Sequence, residues 1–263
     1  MQDTYEKGPD EPLIKRINKE KSVAIQPESD YNIDMANKNS VVDLYWGQIK
    51  KDGLRAFSND NISKILTTRG KEVLIEEVAE AFEEVLRRLL IDWKNDPNAM
   101  GTPKRLAKMY INELMSGRYS DRPIATAFPN EGADAYEGML VVRSELRSVC
   151  SHHHQPVVGT AYIGIIPNGK VIGLSKYTRI AQWVARRGTL QEELTNAIVK
   201  ELQDATGTED IAVYIHACCE NRGIMAHSSL TQTTVLKGRF NEADVKKEFF
   251  DDIALQQSFV GGK

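Results

Sequence analysis

Cysteine and histidine are scarce in this chain: three and five residues respectively out of 263. So small and odd a cysteine count excludes a disulfide-stapled extracellular scaffold. It points to a reducing compartment, with the cytoplasm as the expected location. Long apolar runs are missing, which argues against a helical membrane span. The opening Met1-Gln2-Asp3-Thr4-Tyr5-Glu6 has no basic segment followed by an apolar stretch, so no secretory signal is expected. Charge of one sign is also lacking. A net charge of −3 excludes a general nucleic-acid binder, although local basic patches survive that average. Hydrophobic content of 41% and charged content of 27% are ordinary for a globular protein. The length accommodates one full core with appendages, or two small domains.

What is present falls into three stretches. Residues 1–45 are polar, contain Pro9, Pro12 and Pro27, and read as a flexible tail. Residues 46–120 read as a helical region. A helix is expected over 71–93, with Leu74, Val78, Phe82, Val85, Leu86 and Leu89 as its apolar stripe. A second opens with Thr102 as N-cap and Pro103 in the first turn; it places Leu106, Met109, Tyr110 and Leu114 on one face and closes at Gly117. From 121 to 263 the period changes. Strands are expected at 139–149, 157–166, 211–218 and 229–237. Between the second and third lie two helices, capped by Ser175 and Thr189 and ended by Gly188 and Gly207. The order predicts an α+β fold, an antiparallel β-sheet with helices on one face, preceded by N-terminal helices.

All three cysteines and four of the five histidines lie in two clusters, Cys150-Ser151-His152-His153-His154 and His216-Ala217-Cys218-Cys219. Thiolate and imidazole are the ligands zinc prefers. On a strand, His216 and Cys218 leave the same face and Cys219 the opposite one. Spacing does not choose among His152, His153 and His154. A closed structural zinc would take four side chains, for example Cys150, one histidine, Cys218 and Cys219. A catalytic zinc keeps one position for water, and two spare histidines favour that arrangement. The remaining alternative is a polar core without metal.

The clusters and their flanks resemble the GTP cyclohydrolase I family. The match runs through Thr102-Pro103-Lys104-Arg105-Leu106-Ala107-Lys108-Met109-Tyr110, Cys150-Ser151-His152-His153, Gly173-Leu174-Ser175-Lys176 with Arg179, Gln191-Glu192, His216-Ala217-Cys218 and Arg222-Gly223, and covers about residues 70–245. The resemblance implies a tunnelling fold, in which subunits join their sheets into a barrel, commonly as a homo-oligomeric decamer. It makes 121–263 the catalytic domain and GTP the substrate. It gives zinc (Zn2+) held by Cys150, His153 and Cys218, with His152 and His216 as acid and base. The reaction implied opens the guanine five-membered ring, releases formate and yields 7,8-dihydroneopterin triphosphate. A related purine or pterin as substrate, or a non-catalytic zinc module closed by Cys219, are the competing readings.

That chemistry needs these residue types. Zinc lowers the pKa of its water from about 15.7 toward roughly 7. Histidine titrates in the range a general acid or base requires. The resemblance implies Ser175 on the sugar oxygens; its position also suits a helix cap. Glu192 suits the donor edge of guanine, or a capping box with Thr189, with Gln191 as its companion. Lys176 and Arg179 near a helix start, together with Arg105, Lys108 and Arg222, suit a triphosphate. Arg186-Arg187 reads as solvated surface. The chain departs from the family at Ser151, where glutamate is usual, and at His154, where an apolar residue is common. The segment leading to His216 is also a few residues shorter.

Overall fold

The computed structural model describes residues 40–133, 135–219 and 229–261. The expected tail lies outside these as far as residue 39. Helix α1 (Val41–Lys51) follows directly, starting inside the stretch expected as a flexible tail and running into the expected helical region. Ser40 caps it, its hydroxyl oxygen accepting the Val42 N–H at 3.1 Å. Glu77 accepts from the Ser40 hydroxyl and from the Val41 N–H, which places a carboxylate at the helix N-terminus. Glu77 belongs to helix α2 (Thr68–Arg88), whose N-cap Thr67 accepts from the Gly70 N–H at 2.9 Å.

The buried face of α2 is Gly70, Ile75, Ala79 and Leu86, with Leu74, Val78 and Phe82 partly covered. Val85 and Leu89, expected in the stripe, are exposed. The small residues serve two neighbours: Gly70 leaves room for the Tyr45 ring of α1, and Ala79 packs with the next helix. That helix, α3 (Thr102–Met109), lays Pro103 and Ala107 inward, and Ile111 continues the row. Its N-cap is Gly101, in the left-handed conformation at φ 77°, and not Thr102. The turn at Gly101 carries Thr102 into the helix, where its hydroxyl accepts from Arg105 Nη2 at 2.8 Å. Beyond Met109 the helix widens into one π-type turn, Tyr110–Leu114. The chain then passes so close to a later helix that a side chain at Gly117 would meet the Trp183 carbonyl oxygen. Only glycine allows this approach, and the Gly117 N–H donates to the Arg186 carbonyl at 2.8 Å.

The second half is built on strands. Two short ones, β1 (Ala127–Pro129) and β4 (Lys170–Ile172), pair with each other. The main antiparallel sheet has the order β2-β3-β5-β6, from β2 (Leu140–Val149), β3 (Pro156–Ile165), β5 (Ile211–Cys219) and β6 (Ser229–Leu236). Helices α4 (Leu174–Ala185) and α5 (Gln191–Thr206) cover one face. Their Tyr177, Ile180, Val184, Leu194, Ile198 and Leu202 close the core on Ile163, Ile211, Val213 and Ile215. The α+β class and its antiparallel sheet are therefore as the sequence predicts. Helix α6 (Ala243–Gly261), which the apolar spacing does not announce, sets Phe249 and Ile253 on the opposite face against Tyr162 and Ala212. No helix among the described residues is long and apolar enough to cross a membrane.

Two further expected caps are replaced. Ser175 lies inside the first turn of α4, whose N-cap is Gly173, and it makes no capping bond. Leu190 stands at the N-cap of α5, and the Thr189 hydroxyl donates to Glu193 at 2.7 Å. Thr189 is displaced from the cap because its N–H is held by the Val149 carbonyl at the end of β2. Gly207 closes α5 in the left-handed conformation, as expected. Arg187 is not solvated surface. It is 6% exposed, donates to Glu201 at 2.7 Å and lies 3.9 Å above the Trp183 ring. The sharp turn after α4 folds it inward while Arg186 stays exposed.

Removing one partner of such a pair strands a buried charge, so Arg187→Ala should lose about 3 kcal/mol. A denaturant titration with an unchanged midpoint would contradict this. A second expectation concerns pH. Burial pushes the Asp60 carboxyl up, but hydrogen bonds from Arg55 and from the Phe57 N–H, with the charges of Arg55 and Arg118, outweigh it and hold the group below its ordinary value. Its stabilising share is thus present above the unfolded carboxylate pKa and is lost as pH falls through the folded one. Urea midpoints measured downward from about pH 5 should fall less steeply for Asp60→Asn than for the parent. Parallel curves would show that this carboxylate contributes nothing.

Candidate active site

Both clusters converge on one end of the main sheet. The end of β2 pairs with the start of β3, and the start of β3 pairs with the end of β5. Cys150 follows β2 directly. Its N–H donates to the Gln155 carbonyl at 2.9 Å, and the His154 N–H donates back to the Cys150 carbonyl at 2.9 Å. These bonds close a four-residue hairpin loop, Ser151 to His154. His154 takes the left-handed conformation (φ 54°), which histidine tolerates better than β-branched residues do. Cys150 is buried, whereas His152, His153 and His154 are exposed. The rings of His152 and His153 stand edge to face, 6.1 Å apart.

On β5, Ile211, Val213 and Ile215 enter the core, and His216 and Cys218 lie half-buried on the other face, as alternation predicts. Each belongs to a cross-strand row. Glu145, Thr160, His216 and Gln232 form one, and Arg147, Val158, Cys218 and Leu230 the next. Residues directly opposite in an antiparallel ladder share a face, so Glu145 and Arg147 present their exposed side chains on the His216 side. Composition and motif spacing do not single out these two; the alternation along β2 would have. The side chain of Cys219 lies outside the described residues, as does Arg222.

Cys150 and Cys218 are both free thiols. Cys150 belongs to the core on the helix-covered face, and Cys218 to the opposite face. Among the described residues, no three His, Cys, Asp or Glu side chains lie close enough together to hold an ion. The three expected ligands thus share an end of the sheet but are not drawn to one point. Two thiolates and an imidazole nevertheless fit zinc by donor chemistry.

The other expected site residues are distributed around this end. Ser175, Lys176 and Arg179 stand in the first two turns of α4, and none makes a side-chain hydrogen bond or ion pair among the described residues. Glu192 is exposed in the first turn of α5. Gln191 is engaged by β6: its Nε2 donates to Thr233 Oγ1 at 3.2 Å, and its Oε1 accepts from the Thr231 hydroxyl. Arg105 and Lys108 are exposed on α3, Arg105 donating to Thr102. Tyr110, expected on one face with Leu106, Met109 and Leu114, lies beside the histidine loop, its ring centroid 5.7 Å from that of His154.

Residues 78–254 match a family model described as GTP cyclohydrolase I. This chain belongs to the GTP cyclohydrolase I family. It is similar to the GTP cyclohydrolase 1 of Flavobacterium johnsoniae, with 40% identity over 193 residues, covering 72% of this chain and 85% of that protein. The GTP cyclohydrolase 1 of Aeromonas salmonicida is 41% identical over 180 residues, covering 66% and 81%. That of Vibrio cholerae is 38% identical over 169 residues, covering 63% and 77%.

Within this family member the backbone at His154 allows a direct test. Glycine is at ease at φ 54°, whereas a β-branched residue is an outlier there. His154→Gly should stay within about 1 kcal/mol of the parent, and His154→Val should be less stable by about 1–2 kcal/mol. Equal thermal midpoints for the two variants would remove backbone conformation as the constraint at this position.

Proposed function

We propose that this chain is a zinc-dependent GTP cyclohydrolase, opening the guanine imidazole ring of GTP to give formate and 7,8-dihydroneopterin triphosphate. Family membership supports the class of enzyme. The observation that carries the assignment of residues is the ladder register, with His216 and Cys218 on one face at the end where Cys150 closes β2. Cys150, His153 and Cys218 would hold the zinc, which when bound supplies an activated water at neutral pH.

The remaining groups bind substrate and move protons. Water adds to the ring carbon between the two nitrogens, one C–N bond breaks, and the departing nitrogen takes up a proton. A second hydrolysis releases formate and frees the ring amine. The ribose opens and rearranges to a ketone, and that amine condenses on it with loss of one water to close the dihydropterin, so that one water is consumed overall. His152 and His216, both outside the ligand set, take the proton from the attacking water and deliver the one to nitrogen. The Glu192 carboxylate accepts two N–H bonds from the guanine edge. Thr189 spends its hydroxyl on Glu193, so Glu192 is left uncommitted at the helix start. Lys176, Arg179, Arg105, Lys108 and Arg222 bind the triphosphate, Ser175 the sugar oxygens, and Gln191 supports Glu192 from its anchorage on β6. The edge strands β2 and β6 suit pairing with neighbouring copies, and we infer a homo-oligomeric barrel, the decamer of the family, in the cytoplasm.

Anaerobic metal analysis and a GTP-dependent formate assay on one sample test this reading. The expected result is one zinc per chain together with formate release. Cys218→Ala should lose both, and Cys219→Ala neither. His216→Ala should keep zinc while turnover falls by about 10²–10⁴-fold. Zinc lost with Cys219→Ala would instead support a closed, non-catalytic site. Full activity in His216→Ala would remove that residue from the mechanism.

A further inference from the structure

Three aromatic rings connect the helical region to the hairpin loop that carries His152 and His153. Phe82 of α2 stacks on Tyr110, with centroids 5.5 Å apart and planes 27° from parallel. Tyr110 in turn meets His154 at 5.7 Å with a tilt of 45°. Tyr110 stands where α3 widens into the π-type turn, a distortion frequent at functional sites. The same helix carries the exposed cations Arg105 and Lys108. His154 is fixed from both sides: its N–H is bound to the Cys150 carbonyl, and its ring lies against Tyr110.

We propose that Tyr110 is a positioning residue for the reaction, bracing the His154 ring and thereby the loop on which His152 and His153 stand. This rests on the cyclohydrolase reading for its catalytic consequence, but not for the loop contact itself. The loop is short and exposed, and its two internal backbone hydrogen bonds are the only ones it makes among the described residues. A ring packed against its last residue restricts the orientations the loop can take. Tyr110 acts through His154; it is not assigned a contact with substrate or metal.

The experiment compares Tyr110→Leu, which keeps bulk but removes the ring, with Tyr110→Phe, which keeps the ring. Hydrogen exchange read by mass spectrometry on the peptide spanning 148–156 measures the loop directly. For Tyr110→Leu, exchange there should rise about three- to tenfold, with the α5 peptide spanning 191–206 unchanged. The same variant should lose about ten- to a hundredfold in kcat, with KM for GTP within about twofold. Tyr110→Phe should restore both exchange and kcat. Unchanged loop exchange in Tyr110→Leu overturns the contact. Raised exchange with parental kcat overturns the positioning role. If the parent chain itself releases no formate from GTP, the cyclohydrolase reading fails and the positioning role with it, while the exchange measurement still decides whether Tyr110 braces the loop.

Discussion

Strand β3 is hydrogen-bonded along its whole length to β2 on one side and β5 on the other, and everything at the candidate site depends on that double pairing. Residues about 70 positions apart in sequence reach one end of the sheet only because the register pairs Val149 with Pro156 and Val157 with Cys219. A slip of one residue on β5 would send His216 and Cys218 into the core and turn Ala217 outward, since side chains alternate strictly along a strand. Burial guards against such a slip. Ile211, Val213 and Ile215 are all enclosed beneath α4 and α5, and a shifted register would expose all three.

The helices serve the same end by different means. Helix α4 is held to β2 by the bond from Ser148 to the Ala185 carbonyl, and the start of α5 by the bond from Thr189 to the Val149 carbonyl. The turn between them is pinned further by Arg187, whose guanidinium is shared by Glu201 and the Trp183 ring. Gln191 ties α5 to β6. The candidate substrate-binding residues of α4 and α5 thus stand on helices tied to the sheet, α4 at its end and α5 at its start, the arrangement a site requires if its groups are to keep their geometry.

Much of this was legible from residue order alone. The strands were visible because β-branched runs alternate against a sheet buried on one face. The Cys–His clusters were visible because such residues are rare elsewhere in the chain. Helix starts were harder to read. Thr102, Ser175 and Thr189 all have capping chemistry, yet Gly101, Gly173 and Leu190 occupy the caps. At α3 a left-handed glycine and at α5 a bond from Thr189 to a strand fixed the entry point, and local propensity yielded. Arg187 defied its formal charge because its partners Trp183 and Glu201 come from two different helices. Tyr110 was legible as part of a helical face, but its place beside the histidine loop was not, because the π-type turn shifts the phase that a regular helix would impose. Helix α6 has no clean apolar stripe and shows itself only where the sheet offers Tyr162 and Ala212 to cover.

In the proposed site two remote thiols and one loop histidine grip a single ion that keeps an exchangeable position. X-ray absorption at the zinc edge on the purified protein tests it most directly. The expected spectrum shows two sulfur neighbours at about 2.3 Å and two nitrogen or oxygen neighbours at about 2.0–2.1 Å, one of them exchangeable water. A shell of three sulfurs and one nitrogen, or a protein that takes up no zinc, would contradict it.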